Sequence, residues 1–388
     1  MKKLRVGVIY GGRSGEHEVS VASAASIIKH LDRSRYDPVP IRIEKDGRWT
    51  LADKPPSVIK AAEVIETARL QAARPARPGR EAHLVAYPGD DTVLTIERRD
   101  GGSMTEPGTS AVVTGLGLDV IFPVLHGPYG EDGTVQGLLE LANVPYVGAG
   151  VLGSAVGMDK AVMKQLFAAH GLPQVKYVVT IRRDWERHHD AVTARVEREL
   201  GYPVFVKPAN LGSSVGISKA RNATELAEAV RTAAEFDRKI VIEAAVPQAR
   251  EIEVAVLGND DPEASIAGEI VPSREFYDYE AKYLDEGSKP LIPAPITDAQ
   301  MAEVRRMALA AYRAVDCAGM ARVDFLMNRE TGALFLNEVN TIPGFTTISM
   351  YPKLWEATNL PYPDLIDRLI SLALDRHGEK QQLRTSIT

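Results

Sequence analysis

The chain has 388 residues, of which 45% are hydrophobic, and it carries a formal net charge of -6. This length suggests two or three domains with well-filled cores, and the acidic balance argues against a nucleic-acid partner, which would need a clustered basic surface. A single cysteine, Cys317, excludes an intramolecular disulfide framework, and no apolar run is long enough to cross a bilayer, so we expect a soluble, cytoplasmic protein.

The amino-terminal segment begins with the apolar run Leu4 to Tyr10, continues through a glycine-rich turn and enters a helical segment from Glu18 to Leu31. Strand, glycine turn and helix in this order open a parallel α/β sheet. The turn is a natural anion site, but it lacks a complete G-x-G-x-x-G and indicates a dinucleotide only weakly. For Glu16-His17-Glu18 we expect helix capping and substrate contact rather than a metal site, with a purely structural turn as the alternative.

A segment from about 53 to 108 is rich in Pro, Arg, Ala and Gly, and we expect only a short strand pair in it, between His83 and Glu97. Order returns with the buried-type strand Leu118 to Leu125, which ends at His126. Ligands of parallel sheets bind beyond the carboxyl ends of the strands, where both Glu16 and His126 fall. His126 is therefore either a substrate contact or an ordinary hydrogen-bonded turn residue.

The central part supplies two lysines and a glycine-serine loop. Met158-Asp159-Lys160 opens a helix that runs to about His170, and the strand predicted from Gly201 to Pro208 carries Lys207 near its end. The loop from Gly212 to Gly216 follows, and its small residues would let backbone N-H groups surround a phosphate. Because the lysine precedes the glycines, we expect a flap between strands rather than a helix mouth, with a plain hairpin as the alternative.

The next segments predict an adenine site and a second sheet. A strand from Lys239 to Glu243 leads into Ala244 to Val246, whose backbone groups could bind an adenine ring. Arg250 to Val256 alternates like a strand of a new sheet, so a domain boundary falls just before it. The loop-like run from 275 to 283 combines tyrosines, a lysine and acids, which is typical of a lid over a ligand but also of a plain surface lid. Asp298 to Val315 is an amphipathic helix.

The most informative stretch is a hairpin near the carboxyl end. Alternation predicts two strands, Arg322 to Leu326 and Leu334 to Asn340, joined by the turn Asn328 to Gly332. Their polar residues are Arg322, Asp324, Glu338 and Asn340. Alternate side chains of a strand share a face, so these groups converge if the two faces coincide. Two carboxylates and an amide oxygen are hard ligands that suit Mg²⁺ beside phosphates rather than zinc, and a solvated strand face is the alternative.

These segments, in this order, resemble the D-alanine-D-alanine ligase family of the ATP-grasp superfamily over nearly the whole chain. The matching runs are GGRSGEHEVS, HGPYGEDG, MDK, VFVKP, GSSVG, VIE, EIEV, FYDYEAKY, ARVDF, NEVNTIPG and SMYP. The segment from about 53 to 108 has no counterpart and resembles an insertion. The resemblance implies an α/β fold of three domains in the ATP-grasp architecture. They are a parallel-sheet substrate domain (1-148), a central domain (149-246) and a catalytic domain (247-388), with the nucleotide between the sheets of the last two.

The resemblance also implies residue roles. The implied ATP contacts are Lys160, Lys207, Ser213, Ser214, Glu243, Ala245, Val246, Glu251, Phe276 and Lys282. Two Mg²⁺ or Mn²⁺ ions would be held by Asp324, Glu338 and Asn340. The implied substrate contacts are Glu16, His126, Arg322, Gly344, Ser349 and Met350. Among the catalytic residues Glu16, Ser213, Tyr283 and Arg322, the arginine stabilises an oxyanion and the other three form a hydrogen-bonded set that receives the amine proton.

The implied reaction joins two D-alanine molecules into D-alanyl-D-alanine, a peptidoglycan precursor, through an acyl phosphate made with ATP. The alternative in the same chemistry is D-alanyl-D-lactate or D-alanyl-D-serine, and Tyr283 argues against it because depsipeptide-forming relatives carry another residue there. A noncatalytic nucleotide sensor on the same fold is a third possibility, which an intact metal set with Arg322 argues against. The expected assembly is a homodimer, although the sequence itself does not fix it.

Overall fold

The computed structural model describes residues 2-52, 54-58, 62-66, 80-90, 92-98, 111-272 and 288-384. The chain divides into two compact units, here called unit 1 and unit 2. Unit 1 comprises Met1–Val151, Ile342–Pro352 and Leu360–Thr388, and unit 2 comprises Leu152–Thr341 and Lys353–Asn359. The three-domain division at 148 and 246 stays a prediction.

Nine helices of eight or more residues lie in the described ranges. They are α1 (His17–His30), α2 (Thr134–Leu141), α3 (Val151–Met158), α4 (Lys160–Ala169), α5 (Arg182–Glu199), α6 (Ala223–Phe236), α7 (Asp298–Ala314), α8 (Met350–Ala357) and α9 (Tyr362–Gln381). Within these ranges no helix is both long and apolar enough to span a membrane.

Unit 1 is built on a seven-stranded sheet. Its strands are β1 (Leu4–Gly11), β2 (Tyr36–Ile43), β3 (Trp49–Leu51), β4 (Arg80–Leu84), β5 (Val93–Arg98), β6 (Ala111–Leu116) and β7 (Val120–Val124). They lie in the order β6-β5-β4-β3-β2-β1-β7. The strand β1 pairs in parallel with β2 and β7, which confirms the predicted parallel opening, and the pairs from β2 to β6 are antiparallel. The predicted strand pair between His83 and Glu97 is confirmed as β4 and β5.

The core of unit 1 explains why β1 and β7 are almost continuously apolar. Both strands are covered on both faces, so nearly every side chain is buried rather than every second one. Ile9, Ile41 and Ile121 pack with residues of α2 such as Leu139 in one cluster. The packed core therefore holds the carboxyl ends of β1 and β7 in place, and Glu16 and His126 follow these ends in the sequence.

Unit 2 contains two antiparallel sheets. The strands of the first are β8 (Tyr177–Ile181), β9 (Val204–Pro208), β10 (Ser218–Ala220) and β11 (Lys239–Ala244), in the order β10-β9-β11-β8. The strands of the second are β12 (Ala249–Gly258), β13 (Glu263–Val271), β14 (Lys289–Leu291), β15 (Gly319–Asn328) and β16 (Leu334–Asn340), in the order β14-β13-β12-β15-β16. The new sheet predicted to begin at Arg250 is confirmed by β12.

One layer of helices supports each sheet of unit 2. Apolar residues of α5 and α6 such as Val196 and Leu226 pack with Val204 and Ile240 of the first sheet. Buried residues of α7, including Met307 and Ala311, line the contact of this helix with the second sheet. These cores fix the strands that carry Lys207, Glu243 and the hairpin carboxylates.

Candidate active site

The hairpin near the carboxyl end forms as predicted. The strands β15 and β16 are antiparallel, and the register sets Arg322 opposite Asn340 and Asp324 opposite Glu338. On its other side β15 pairs with β12, which sets Glu253 opposite Asp324. Three carboxylates thus stand in a row across three adjacent strands. Glu253 was not among the predicted site residues.

Arg322 holds this row of like charges together. Its Nε donates to Asp324 Oδ1 at 2.7 Å and its Nη2 to Asp324 Oδ2 at 2.6 Å, while Nε lies 3.2 Å from Glu253 Oε2. The Asn340 amide donates to Asp324 Oδ2 at 2.9 Å. Burial alone would lower the pKa of the Arg322 guanidinium, but Asp324 and Glu253 together raise it well above its ordinary value. The guanidinium therefore offsets the repulsion between carboxylates on facing strands.

A β-bulge interrupts the hairpin beside the site. Asp324 faces Glu338 but the next residue, Phe325, faces Leu336, so Asn337 is the extra residue of the bulge. Its Oδ1 lies 3.4 Å from Lys207 Nζ and accepts a hydrogen bond from it. Bulges next to sites commonly redirect one side chain, and here the bulge connects the hairpin to the lysine of the other sheet.

Lys160 is the first residue of α4, and Asp159 and Lys239 fix where this helix begins. Asp159 caps the helix by accepting from the Ala161 and Val162 amides, and its Oδ2 pairs with Lys239 Nζ at 2.5 Å. The Lys160 ammonium donates to Leu211 O at 2.8 Å and lies 3.4 Å from Glu338 Oε2. The same cation therefore contacts the base of the flap and a predicted metal ligand.

Glu243 lies between two lysines. Lys207 Nζ is 2.6 Å from its Oε2, and Lys164 Nζ is 2.8 Å from its Oε1. Burial alone would raise the pKa of Glu243, but the two cations lower it to about 2. Burial lowers the pKa of Lys164, whereas for Lys207 the effect of burial is outweighed by Glu243, so its pKa is raised. The sequence did not single out Lys164.

The flap has the predicted form of a loop between two strands. The strands β9 and β10 are antiparallel neighbours, and the Gly-Ser-rich loop joins them. Ser213 and Ser214 both have left-handed backbones, with φ of 49° and 59°, and Gly216 has φ of 71°. A Cβ on Gly216 would lie 2.7 Å from Phe236 Cδ2, so a larger residue there would displace the Phe236 ring. A left-handed backbone is sparsely populated for serine, and residues in this conformation persist in ligand-binding loops.

The strand end predicted to bind adenine has part of its backbone already paired. The Ala244 amide donates to Lys176 O at 2.9 Å and the Ala245 amide to Pro203 O at 3.1 Å. The roles of Ala245, Val246 and Glu251 toward a nucleotide stay predictions.

Glu16 occupies the end of unit 1 where it was expected, but not as a helix cap. It stands at the N-cap position of α1 and its side chain makes no capping hydrogen bond, so the capping prediction is wrong. The carboxylate instead faces the loop after β7: its Oε2 lies 3.0 Å from where a Cβ on Gly127 would stand. Gly127, with φ of 74°, makes this approach possible.

His126 is buried and both of its ring nitrogens have partners. Nδ1 lies 3.2 Å from Ile342 O, and Nε2 lies 3.4 Å from Ser23 Oγ. Nδ1 can donate to the carbonyl only when protonated, which leaves Nε2 of the neutral ring to accept from the hydroxyl. The same serine hydroxyl accepts from the Phe345 amide at 3.2 Å. His126 therefore anchors the loop that follows β16, and direct contact with substrate stays a prediction.

This loop also brings Gly344 and Ser349 together. Ser349 Oγ accepts from the Thr346 amide at 3.0 Å and lies 2.8 Å from Thr346 Oγ1, and it stands 2.7 Å from where a Cβ on Gly344 would lie. The side chain of Phe345, in the same loop, is fully buried and anchors the loop. Met350, the first residue of α8, is buried.

Three predicted site residues, Phe276, Lys282 and Tyr283, lie outside the described residues. Glu16 belongs to unit 1 and Ser213 to unit 2. The hydrogen-bonded set of Glu16, Ser213 and Tyr283 therefore stays a prediction.

The oxygen ligands of the hairpin suit a divalent ion that is shared with phosphates. In the described ranges no group of three or more His, Cys, Asp or Glu side chains is arranged as a metal cage. Asp324, Glu338 and Asn340 offer two carboxylates and one amide oxygen on facing strands. Mg²⁺ usually takes one or two carboxylates and completes its octahedron with water and substrate phosphates, so an incomplete protein cage fits this ion.

Comparison with known proteins decides the family. A family model described as D-ala D-ala ligase N-terminus matches residues 5-149, and one described as D-ala D-ala ligase C-terminus matches residues 166-371. The chain belongs to the D-alanine-D-alanine ligase family. The fold class and the enzyme class predicted from the sequence are thereby confirmed.

Individual members of the D-alanine-D-alanine ligase family match over almost their full length. The chain is 50% identical to a D-alanine-D-alanine ligase of Heliobacterium modesticaldum, over 99% of this chain and 98% of the relative. The solved D-alanine-D-alanine ligase from Coxiella burnetii superposes with a TM-score of 0.78 at 35% identity, over 98% and 97% of the two chains. The VanG D-Ala:D-Ser ligase from Enterococcus faecalis superposes with a TM-score of 0.75 at 31% identity, over 96% and 100%.

Proposed function

We propose that this chain uses ATP to join two D-alanine molecules into D-alanyl-D-alanine. A carboxylate is a poor electrophile, so the first D-alanine is activated as an acyl phosphate before the amine of the second attacks it. The observation that carries this proposal lies within unit 2, where Lys160 contacts the hairpin carboxylate Glu338 and Lys207 contacts the hairpin amide of Asn337. Cations beside an acidic metal-binding face are what a phosphoryl transfer requires.

The nucleotide would be held by residues of both sheets of unit 2. Lys160 and Lys207 would bind its phosphates, and Ser213 and Ser214 of the flap would cover them. Asp324, Glu338 and Asn340 would hold two Mg²⁺ or Mn²⁺ ions, which neutralise phosphate oxygens. Since Asp324 is bonded to Arg322 in this structure, ion binding would share or replace part of that pair.

Arg322 would stabilise the negative charge that develops when the amine attacks. Its five N-H donors exceed the two bonded to Asp324, so further donors remain for a substrate oxygen. Glu16 would bind the ammonium group of the first D-alanine, while Ser349 and the loop at Gly344 would bind the second. The Thr346 contacts that fix the Ser349 hydroxyl support this role because a bound group loses less freedom when its partner is already positioned.

The acceptor separates this activity from its nearest alternative. The 50% identical relative is a D-alanine-D-alanine ligase, while a D-Ala:D-Ser ligase stands at 31% identity. Phosphate release from ATP would be measured with D-alanine alone and with D-alanine plus D-lactate or D-serine. The products would be identified by mass spectrometry. We expect D-alanyl-D-alanine as the main product in every mixture. A dominant mixed product, or no product with D-alanine alone, would refute the proposal.

We further propose that the protein works as a cytoplasmic homodimer. The single cysteine, Cys317, is buried and forms no disulfide, which suits a reducing compartment. Light scattering after size exclusion would give the mass of the assembly, and a mass near the 42.2 kDa of one chain would refute the dimer.

A further inference from the structure

Lys164 is a fully buried ionisable side chain beside the proposed nucleotide site, and the proposed reaction gives it no task. Its side chain is 0% exposed, and its Nζ reaches Glu243 Oε1 in an ion pair without hydrogen-bond geometry. The ring of Tyr177 faces the same ammonium, with its centroid 5.5 Å away. A cation without access to solvent cannot touch a ligand in this conformation, so any role it has passes through Glu243.

Lys164 lies four residues after Lys160 on α4. Residues four apart on a helix lie on one face, so the two lysines point to the same side of α4. Lys160 reaches Glu338 of the hairpin, and Lys164 reaches Glu243 of the other sheet. The Asp159 cap and its pair with Lys239 fix the start of this helix and thereby both lysines.

Lys207 contacts both Glu243 and the hairpin, whereas the ion pair of Lys164 is with Glu243. Lys207 Nζ lies 2.6 Å from Glu243 Oε2 and 3.4 Å from Asn337 Oδ1, so it stands between the acid and the hairpin. To bind a phosphate it must give up part of its contact with Glu243. A buried carboxylate that loses its cation is strongly unfavourable. Glu243 would therefore retain Lys207 unless a second cation remained paired with the carboxylate.

We propose that Lys164 is a positioning residue for nucleotide binding: it stays paired with Glu243 and thereby frees Lys207 to turn to the phosphates. The triad carries one positive charge in excess before the ligand arrives. After Lys207 turns away, Lys164 and Glu243 remain as a neutral buried pair. This inference rests on the proposed function, since it assigns the phosphates of that reaction to Lys207.

The test is a double-substitution cycle read by binding rather than by turnover. Lys164→Met, Glu243→Gln and the double variant would be titrated with Mg·ATP and with inorganic triphosphate in a calorimeter. The inorganic probe has no adenine, so any contact of Glu243 with the base does not enter the result. Gln165→Met, on the exposed side of α4, is the matched control.

We expect Lys164→Met to weaken triphosphate binding by about tenfold, a typical coupling for contacting charges, and the control to leave it unchanged. In the Glu243→Gln background the same lysine substitution should change the affinity by less than about twofold, because no carboxylate then retains Lys207. Equal losses in both backgrounds, or no loss in either, would refute the proposal. A merely structural role would produce equal losses.

If Lys164→Met alone does not fold, as judged by circular dichroism, the double variant decides the question. It removes both charges of the buried pair, which is tolerated far better than removing one. Triphosphate affinity within about threefold of the wild type supports the proposal, and a loss of about tenfold or more contradicts it. Product analysis of the wild type tests the ligase activity separately, since this cycle measures binding without any ligation.

Discussion

Two charged clusters of unit 2 have opposite composition. The hairpin cluster sets one arginine, Arg322, against the three carboxylates Glu253, Asp324 and Glu338. The lysine cluster sets one carboxylate, Glu243, against Lys164 and Lys207. One is left with negative charge in excess and the other with positive charge. The first is therefore suited to cations and the second to phosphates, and Lys207 links the lysine cluster to the hairpin through its hydrogen bond to Asn337.

The clusters also differ in burial. Side chains of the hairpin cluster are 8% to 22% exposed, whereas Lys164 and Glu243 are only 0% and 3% exposed. An accessible side chain can exchange a protein partner for a ligand at low cost, and a sealed one cannot. Within the lysine cluster, Lys207 is 11% exposed and is the member that can make this exchange. Substitutions in the hairpin cluster should therefore reduce activity first, and those in the lysine cluster should reduce both stability and nucleotide affinity.

The largest effect should come from Glu338→Ala. Loss of a metal ligand removes several kcal/mol of charge stabilisation, so we expect turnover to fall by a factor of at least about 10³. The fold should be kept, because this side chain is 22% exposed and lies at the site rather than in the core. Phosphate release and circular dichroism would check both expectations. Glu330→Ala, in the exposed turn of the same hairpin, should be as active as the wild type; a similarly active Glu338→Ala would overturn the metal assignment.

Arg322→Lys should have the second-largest effect. The substitution keeps the charge but loses the paired donors that hold Asp324, and removal of one oxyanion donor typically lowers the rate by about 10² to 10³. Turnover at saturating substrates measures the loss. Arg329→Lys in the adjoining turn is the matched control. Equal activity of the two variants would mean that Arg322 serves only as a counterion.

The convergence of Arg322, Asp324 and Glu338 was predictable from the sequence, whereas the pairing of Lys164 with Glu243 was not, for a physical reason. The period of two along a strand places Asp324 and Glu338 on definite faces, and a short turn fixes their pairing. Lys164 looks like a surface residue of a helix, and its burial depends on which strands pack against α4. Glu253 joined the hairpin cluster because β12 pairs with β15, a contact between segments far apart in the sequence.

Two smaller features that the sequence did not predict, the bulge at Asn337 and the contact of Glu16, also depend on long-range packing. The bulge that turns Asn337 toward Lys207 interrupts a regular alternation and leaves no mark in the residue pattern. Glu16 was expected to cap α1, but a long carboxylate can equally reach a neighbouring loop, and here Gly127 allows the approach. Long-range packing decided both outcomes.

The pH dependence of stability should reveal the lysine cluster. The pKa of Glu243 falls from 4.5 to about 2 on folding, so its contribution is complete above pH 4.5 and is lost as the pH falls through about 2. That contribution is on the order of 3 kcal/mol. Denaturant unfolding of the wild type and of Glu243→Gln would be compared from about pH 6 to about pH 3. The difference in unfolding free energy should shrink as the pH falls, and a constant difference would contradict the buried triad.

The smallest effect should come from Asp159→Ala, which removes the cap of α4. Loss of a cap costs about 1 kcal/mol of stability. Asn222→Ala, which removes the cap of α6, should cost less than Asp159→Ala, because Asp159 also pairs with Lys239. Only Asp159→Ala should also weaken ATP binding, because α4 carries Lys160 and Lys164. Thermal unfolding and calorimetric titration separate the two effects. If both variants bound ATP like the wild type, α4 would not be what positions the lysines.

Metal binding at the hairpin can be observed directly in a crystal grown with Mn²⁺ and a nonhydrolysable ATP analogue. Anomalous difference density should place the ions within about 2.0 to 2.3 Å of oxygens of Asp324, Glu338 and Asn340, with Lys207 turned from Glu243 to a phosphate and Lys164 still paired. Density at other residues, or an unchanged Lys207-Glu243 contact beside bound phosphates, would contradict the assignment of the two clusters.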